Sequence, residues 1–188
     1  AEAALSWPKE LFLSFNLSSA QLMNPATAFN ILAILNRAGL DPRRVEMEIT
    51  ETAMMTDPDM AKKIVNDLRS AGIRVSLDDF GTGQSSLGRL RDFTFDKVKI
   101  DRAFVSRITT DKPSEHIIKA IVAMCEGLDL QVVAEGIEDF AEALKLKALG
   151  CGMGQGYFYG RPVDAEATLA YLNQKSVDIE PERLRATA

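Results

Sequence analysis

The chain has 188 residues, 46% of them hydrophobic, and a formal net charge of −5. That length supports one domain with a real core, and the acidic balance argues against binding long nucleic acid, which needs a basic surface. No apolar run approaches the ~20 residues of a membrane span, and Ala1-Glu2-Ala3-Ala4-Leu5 lacks the basic region and apolar core of a signal peptide.

The chain opens on what reads as the tail of a helix, broken at Trp7-Pro8. Leu11 to Leu17 reads as a strand with Asn16 near its end. Asn24-Pro25 is expected to start a helix with Asn as cap and Pro at the first helical position. Phe29, Leu32, Ala33 and Leu35 would form its buried side, and Gly39 its stop. Val45 to Thr50 is the next strand, with Glu48 and Glu51 at its end. Asp57-Pro58 caps a helix through Ile64, Val65 and Leu68, which Gly72 ends.

Ile73 to Leu77 is a short apolar strand that runs into Asp78-Asp79-Phe80-Gly81-Thr82-Gly83. Side chains alternate along a strand, so the two adjacent carboxylates should leave in different directions. Such a pair can serve two neighbouring metal ions, one residue bridging and one terminal. A loop and short helix are expected around 84–90. Phe95 to Asp101 is a strand ending in Lys99 and Asp101. Ser114 is expected to cap the helix through Ile117, Ile118, Ile121, Val122 and Leu128, with the single His116 solvated in its first turn. Gln131 to Gly136 is a strand ending in Glu135. Phe140, Ala143, Leu144 and Leu149 mark a helix closed by Gly150. Gly154 to Phe158 is a last strand, and Asp164 caps a final helix through Leu169 and Leu172. The domain is expected over 1–173, with a polar tail at 174–188.

Six strands alternating with helices imply a parallel sheet covered by helices. An open doubly wound sheet binds ligands at one switch point. In a (β/α) barrel every strand tip faces one mouth. Asn16, Glu48, Asp78 with Asp79, Lys99 with Asp101, Glu135 and Gln155 end six successive strands, which favours the barrel. The fold class is therefore α/β, a (β/α)8 TIM-like barrel with about six units present. A full barrel has eight units and ~250 residues, so two units are expected before Ala1. On that expectation, residues 1–188 alone would be inactive.

Glu48, Asp78, Asp79, Asp101 and Glu135 at one mouth would repel one another. A like-charge pair at ~4 Å and an effective dielectric near 20 costs on the order of 4 kcal/mol. Divalent cations remove that cost, and an all-oxygen donor set selects Mg, Mn or Ca over Zn. A metal pair suits in-line attack of water on a phosphodiester, with Lys99 orienting the water or meeting phosphate charge. Cys125 and Cys151 have no metal-ligand spacing and fit a reduced, cytoplasmic setting.

The spaced series closely resembles the EAL-domain family of cyclic di-GMP phosphodiesterases. It comprises Asn16-Leu17-Ser18, Glu48-Ile49-Thr50-Glu51, Asp78 to Gly83, Lys99-Ile100-Asp101, Glu135-Gly136-Ile137-Glu138, Gln155-Gly156-Tyr157 and Gly160-Arg161-Pro162. The resemblance covers roughly Leu5 to Leu172. It implies a (β/α) barrel that cuts cyclic di-GMP to linear pGpG with Mg2+ or Mn2+, Ca2+ being inhibitory. It implies Asn16, Glu48 and Asp78 as ligands of a first metal, and Asp78, Asp79 and Glu135 as ligands of a second. Lys99, Gln155 and Glu135 would be catalytic, Lys99 holding the nucleophilic water and Gln155 steadying it. Asp101 would support the second metal and the substrate, Arg161 would bind substrate, and Glu51 would anchor the loop 80–86. A homodimer through the barrel and upstream sensory or GGDEF-type domains are the partners it implies.

Three departures stand out. Gln84 replaces a usual aromatic, Thr94 a common Pro, and no strand carrying Glu-Ala-Leu is present, so neither its ligand nor the Arg after it is supplied. The rival function is a non-catalytic cyclic di-GMP receptor or interaction module. A further alternative is an unrelated barrel enzyme using one Mg for enolate chemistry.

Overall fold

The computed structural model of the chain describes residues 1–81 and 93–175. Six parallel strands form one curled sheet, a half-barrel, in strict sequence order. They are β1 (Leu13–Asn16), β2 (Val45–Thr50), β3 (Arg74–Phe80), β4 (Lys97–Ile100), β5 (Gln131–Ala134) and β6 (Met153–Gly154). Helices α1 (Ser19–Leu22), α2 (Thr27–Ala38), α3 (Glu51–Met55), α4 (Pro58–Ser70), α5 (Arg102–Val105), α6 (Lys112–Gly127), α7 (Phe140–Ala148) and α8 (Ala165–Lys175) lie between and after the strands. Because each strand pairs in parallel with the next, the connections cross over one face and all the strand tips gather at one end.

The period of two divides each strand into two faces. Val45, Met47 and Ile49 of β2, Val75 and Leu77 of β3, and Val98 and Ile100 of β4 are buried in the hydrophobic core. The alternate positions of the same strands carry Glu46 and Glu48, then Arg74, Ser76 and Asp78, then Lys97 and Lys99. The polar residues therefore share the inner face of the curl. On the outer face, α4 buries Ala61, Ile64, Val65 and Leu68, and full burial of one such aliphatic side chain is worth ~1.5–3 kcal/mol. Asp57 caps this helix by accepting from the Met60 N–H, Pro58 occupies its first turn, and Gly72 beyond it takes φ +93°.

Two caps differ from the expected ones. Helix α2 begins at Thr27, and Asn24 instead closes a turn by accepting from the Ala26 N–H. Helix α6 is capped by Asp111, which accepts from both the N–H and the hydroxyl of Ser114. Ser114 is buried inside the first turn. Phe29 is 74% exposed, because α2 turns Ala28 and Leu35 to the core, where their smaller sections allow close packing. Phe140 and Leu144 of α7 are also exposed, leaving Leu146 as its buried anchor. The expected last strand shortens to two residues, and residues 174 and 175 still belong to α8. The expected loop and helix at 84–90 and the rest of the tail lie outside the described residues.

Candidate metal centre at the strand ends

Residues four to six of β3 break its regular pairing. The β3–β4 register shifts between Leu77 and Phe80, and Asp79 takes φ +55°. A bulge of this kind rotates one residue out of the alternation. The sequence reading expected Asp78 and Asp79 to point apart. As the family resemblance implied by grouping them on one metal, Asp78, Asp79 and Glu135 each offer a carboxylate oxygen, and the three oxygens lie within 4.8 Å of one another.

Lys99 sits at the centre of this end of the half-barrel and is 3% exposed. Its Nζ donates to Glu48 Oε2 at 2.6 Å and lies 2.6 Å from Glu135 Oε1 and 3.2 Å from Asp78 Oδ1. Burial works against its charged form, but the bonds to Glu135 and Glu48 and the charge of Asp78 outweigh this and raise its pKa above the ordinary lysine value. Burial pushes Glu135 upward, opposed by its bond to Lys99. Burial also raises Asp79, reinforced by Asp78 and Asp101. One ammonium thus pairs with Glu48, Asp78 and Glu135 and acts on Asp79, against which Asp101 also lies. The shortfall of positive charge is the chemical signature of a cation site.

The remaining candidates arrange themselves around this group. Asn16 is exposed at the tip of β1, beside Glu48 in the register. Asp101 caps α5 by accepting from the Ala103 N–H at 2.7 Å. The Gln155 backbone is bonded to Ala134 at the end of β5 and to Ile137 just beyond it, and its side chain is exposed next to Glu135 in one cavity. Arg161 places its guanidinium 4.4 Å from the centre of the Tyr157 ring. Glu51 is buried in the first turn of α3, while residues 82–86 of the loop it was expected to anchor lie outside the described residues. Cys125 and Cys151 are free and buried, and burial pushes both thiols up to about 11.

Sequence reasoning passed over two pairs. Arg102, next to Asp101, is ion-paired with Glu138, the last residue of the Glu135-Gly136-Ile137-Glu138 motif. Lys97 and Glu46 pair at 2.6 Å deeper on the inner face, with Arg74 Nε 3.9 Å from the same Glu46 oxygen. The rings and cations stack there too, Phe12 lying 4.1 Å from Arg74 and 4.6 Å from Lys97. Their signal was the repeat of Glu and Lys at alternate positions of β2 and β4.

The half-barrel and its carboxylate-rich mouth define a class: a parallel β/α domain with a divalent-cation site at the strand tips. The EAL domain model matches residues 2–162, and the chain belongs to this family. It is 38% identical over 159 residues to the cyclic di-GMP phosphodiesterase RocR of Pseudomonas aeruginosa, covering 85% of this chain and 41% of RocR. The structure of the MucR phosphodiesterase of the same organism, in complex with cyclic di-GMP, superposes with a TM-score of 0.79 at 37% identity, covering 84% of this chain and 64% of that one. The manganese and cyclic di-GMP complex of Klebsiella pneumoniae BlrP1 gives a TM-score of 0.80 at 34% identity, covering 86% and 42%. The chain spans 20% to 41% of the length of the curated relatives it matches.

Proposed function

We propose that this domain hydrolyses cyclic di-GMP to linear pGpG, as part of a longer signalling protein. The observation that carries the reading is the convergence of Asp78, Asp79 and Glu135 within 4.8 Å, next to a buried Lys99. The donor set is all oxygen, as hard divalent cations require. Asn16, Glu48 and Asp78 would hold one cation, and Asp78, Asp79 and Glu135 a second. When bound, such a pair supplies an activated water and neutralises charge on the displaced oxygen. Mg2+ or Mn2+ fills this role, and Ca2+ is inhibitory.

Lys99 is held charged by its carboxylate partners, so its ammonium is fixed to orient the attacking water and to meet phosphate charge. Gln155 steadies the water from the neighbouring strand tip. Asp101 supports Asp79 and the substrate, and Arg161 meets the substrate from beside Tyr157. Glu51 anchors the loop at 80–86. On this reading the protein works in the cytoplasm, as a homodimer through the barrel, joined to sensory or GGDEF-type domains. Among the described residues no helix is long and apolar enough to cross a membrane.

The test is chromatography of products after incubating the full-length protein with cyclic di-GMP and Mg2+ or Mn2+. Linear pGpG that forms with either metal and disappears in chelator supports the reading. Binding of cyclic di-GMP without cleavage under every metal would convert it to the receptor reading.

A further inference from the structure

The two buried ion pairs of the inner face share one arrangement. Each joins β2 to β4, which are not neighbours, because β3 lies between them. Adjacent strands are ~4.8 Å apart, so strands on either side of a third are ~9.6 Å apart. A Glu and a Lys meet across that span only by arching over the middle strand. The register shows where each arch passes. Glu46 stands opposite Arg74 and Lys97 opposite Ser76, so the deep pair crosses β3 between those two residues. Glu48 also stands opposite Ser76, and Lys99, which it meets at 2.6 Å, lies 3.2 Å from Asp78. The pair at the mouth therefore crosses β3 between Ser76 and Asp78.

Ser76 thus stands between both arches. It is the smallest residue of β3 and is wholly buried. Its Oγ has no hydrogen-bond partner among the described residues, so polarity does not hold the side chain in place. An unpaired buried hydroxyl is a cost rather than a gain. What the position contributes is space. A branched side chain here would project its methyl groups into the gap that the Glu48 carboxylate and the Lys99 stem occupy.

We propose that Ser76 is a positioning residue for the strand-tip site. Its small side chain leaves the passage over β3 through which Glu48 reaches Lys99, and so sets where the ammonium stands relative to Asp78 and Glu135. Ser76 acts through Glu48 rather than on the substrate. The inference rests on the phosphodiesterase reading.

The test compares full-length Ser76→Val, Ser76→Thr and Ser76→Ala with the parent, by steady-state cleavage of cyclic di-GMP in Mn2+ and by calorimetric titration with Mn2+ alone. Ser76→Val puts two methyl groups into the passage and is expected to lower kcat ~10- to 100-fold, the scale of a misplaced reacting group. KM should change little, since no substrate contact is removed. Mn2+ binding should weaken ~10-fold, as when the support of a metal ligand is disturbed. Ser76→Ala, which leaves the passage clear, is expected to recover most of both. In a Glu48→Gln background Ser76→Val should cost little more, because both changes act on one ion pair. A residue that only supported the fold would add its full loss there. Thermal melts identify any variant that fails to fold, and Ser76→Thr, with one added methyl, takes the place of Ser76→Val in that event. Parental kcat and Mn2+ binding in the folded variant overturn the positioning role and leave the phosphodiesterase reading intact. A loss in Ser76→Ala as large as that in Ser76→Val overturns it too. A parent that does not cleave cyclic di-GMP overturns both.

Discussion

Lys97 and Lys99 stand two residues apart on the inner face of β4, each 3% exposed, yet in different company. Lys97 meets one carboxylate, Glu46, with a second cation, Arg74, close to the same oxygen and the Phe12 ring against both. Lys99 meets three carboxylates, with Asp79 and Asp101 beyond them. The deeper layer has two cations for one anion and closes on itself. At the strand tips one buried cation is shared by three carboxylates, with Asp79 and Asp101 beside them. Burial is the same in both, so burial does not mark the functional one; the charge imbalance does.

The largest expected effect tests the strand tips. Asp78→Asn removes the carboxylate shared by Lys99 and both proposed cations, and turnover in the full-length protein should fall by roughly two to four orders of magnitude. Asp101→Asn should lose less, since Asp101 only supports Asp79. Steady-state rates on cyclic di-GMP decide this, and near-normal turnover by Asp78→Asn would sink the ligand assignment.

Next comes the closed layer. Lys97→Met leaves Glu46 buried without its 2.6 Å partner, and loss of one member of a buried pair costs ~3–5 kcal/mol. Urea unfolding should show that loss. A midpoint equal to the parent's would mean that Arg74 alone can satisfy Glu46.

A third effect is set by pH. Asp79 and Glu135 have raised pKa values in the folded state. Between the ordinary carboxylate value of ~4 and those raised values, the folded state binds more protons than the unfolded chain. Metal-free stability therefore falls as pH rises through that window. A divalent cation competes with those protons, so Mn2+ should stabilise more at pH 7 than at pH 5. At a hundredfold excess over Kd the gain is ~2.7 kcal/mol. Thermal melts with and without Mn2+ at both pH values check it, and equal shifts would place the cation elsewhere.

The smallest expected effect sharpens the contrast. Glu46→Leu with Lys97→Met removes both members of the deep pair, which should return stability to within ~1 kcal/mol of the parent, because well-packed apolar replacements of a buried pair are nearly neutral. A double variant as unstable as Lys97→Met alone would mean that the deep layer also orders its neighbours.

Much of this architecture was legible from residue order. The six strands announced themselves by alternation, and Asp57-Pro58 fixed the start of α4 at the expected place. The cap of α6 was misjudged because Asp111 and Ser114 are both good capping residues three positions apart. Pro113 in the first turn decides for Asp111. The short helices α1, α3 and α5 have four or five residues each, too few to show a period of 3.6. The site carboxylates were legible as strand ends, and their meeting at one mouth was expected, but the backbone detail that achieves it was not. Alternation alone sends Asp78 and Asp79 apart, and only the register shift in β3 brings both to Glu135. The pairing of Arg102 with Glu138 was hidden because it joins the start of α5 to a loop 36 residues further along the chain.

The left-handed backbone of Asp79 has an evolutionary side. A non-glycine residue in that region carries a penalty on the order of 1 kcal/mol, and here the side chain is also pressed by Asp78 and Asp101. Asp79→Gly would relieve both burdens at once. A lineage drifting under selection for stability alone would therefore be drawn to glycine at this position, and the second carboxylate would be among the first parts of the site to vanish. An aspartate kept in that backbone region is a local cost to stability, carried at the point where its carboxylate meets Asp78 and Glu135.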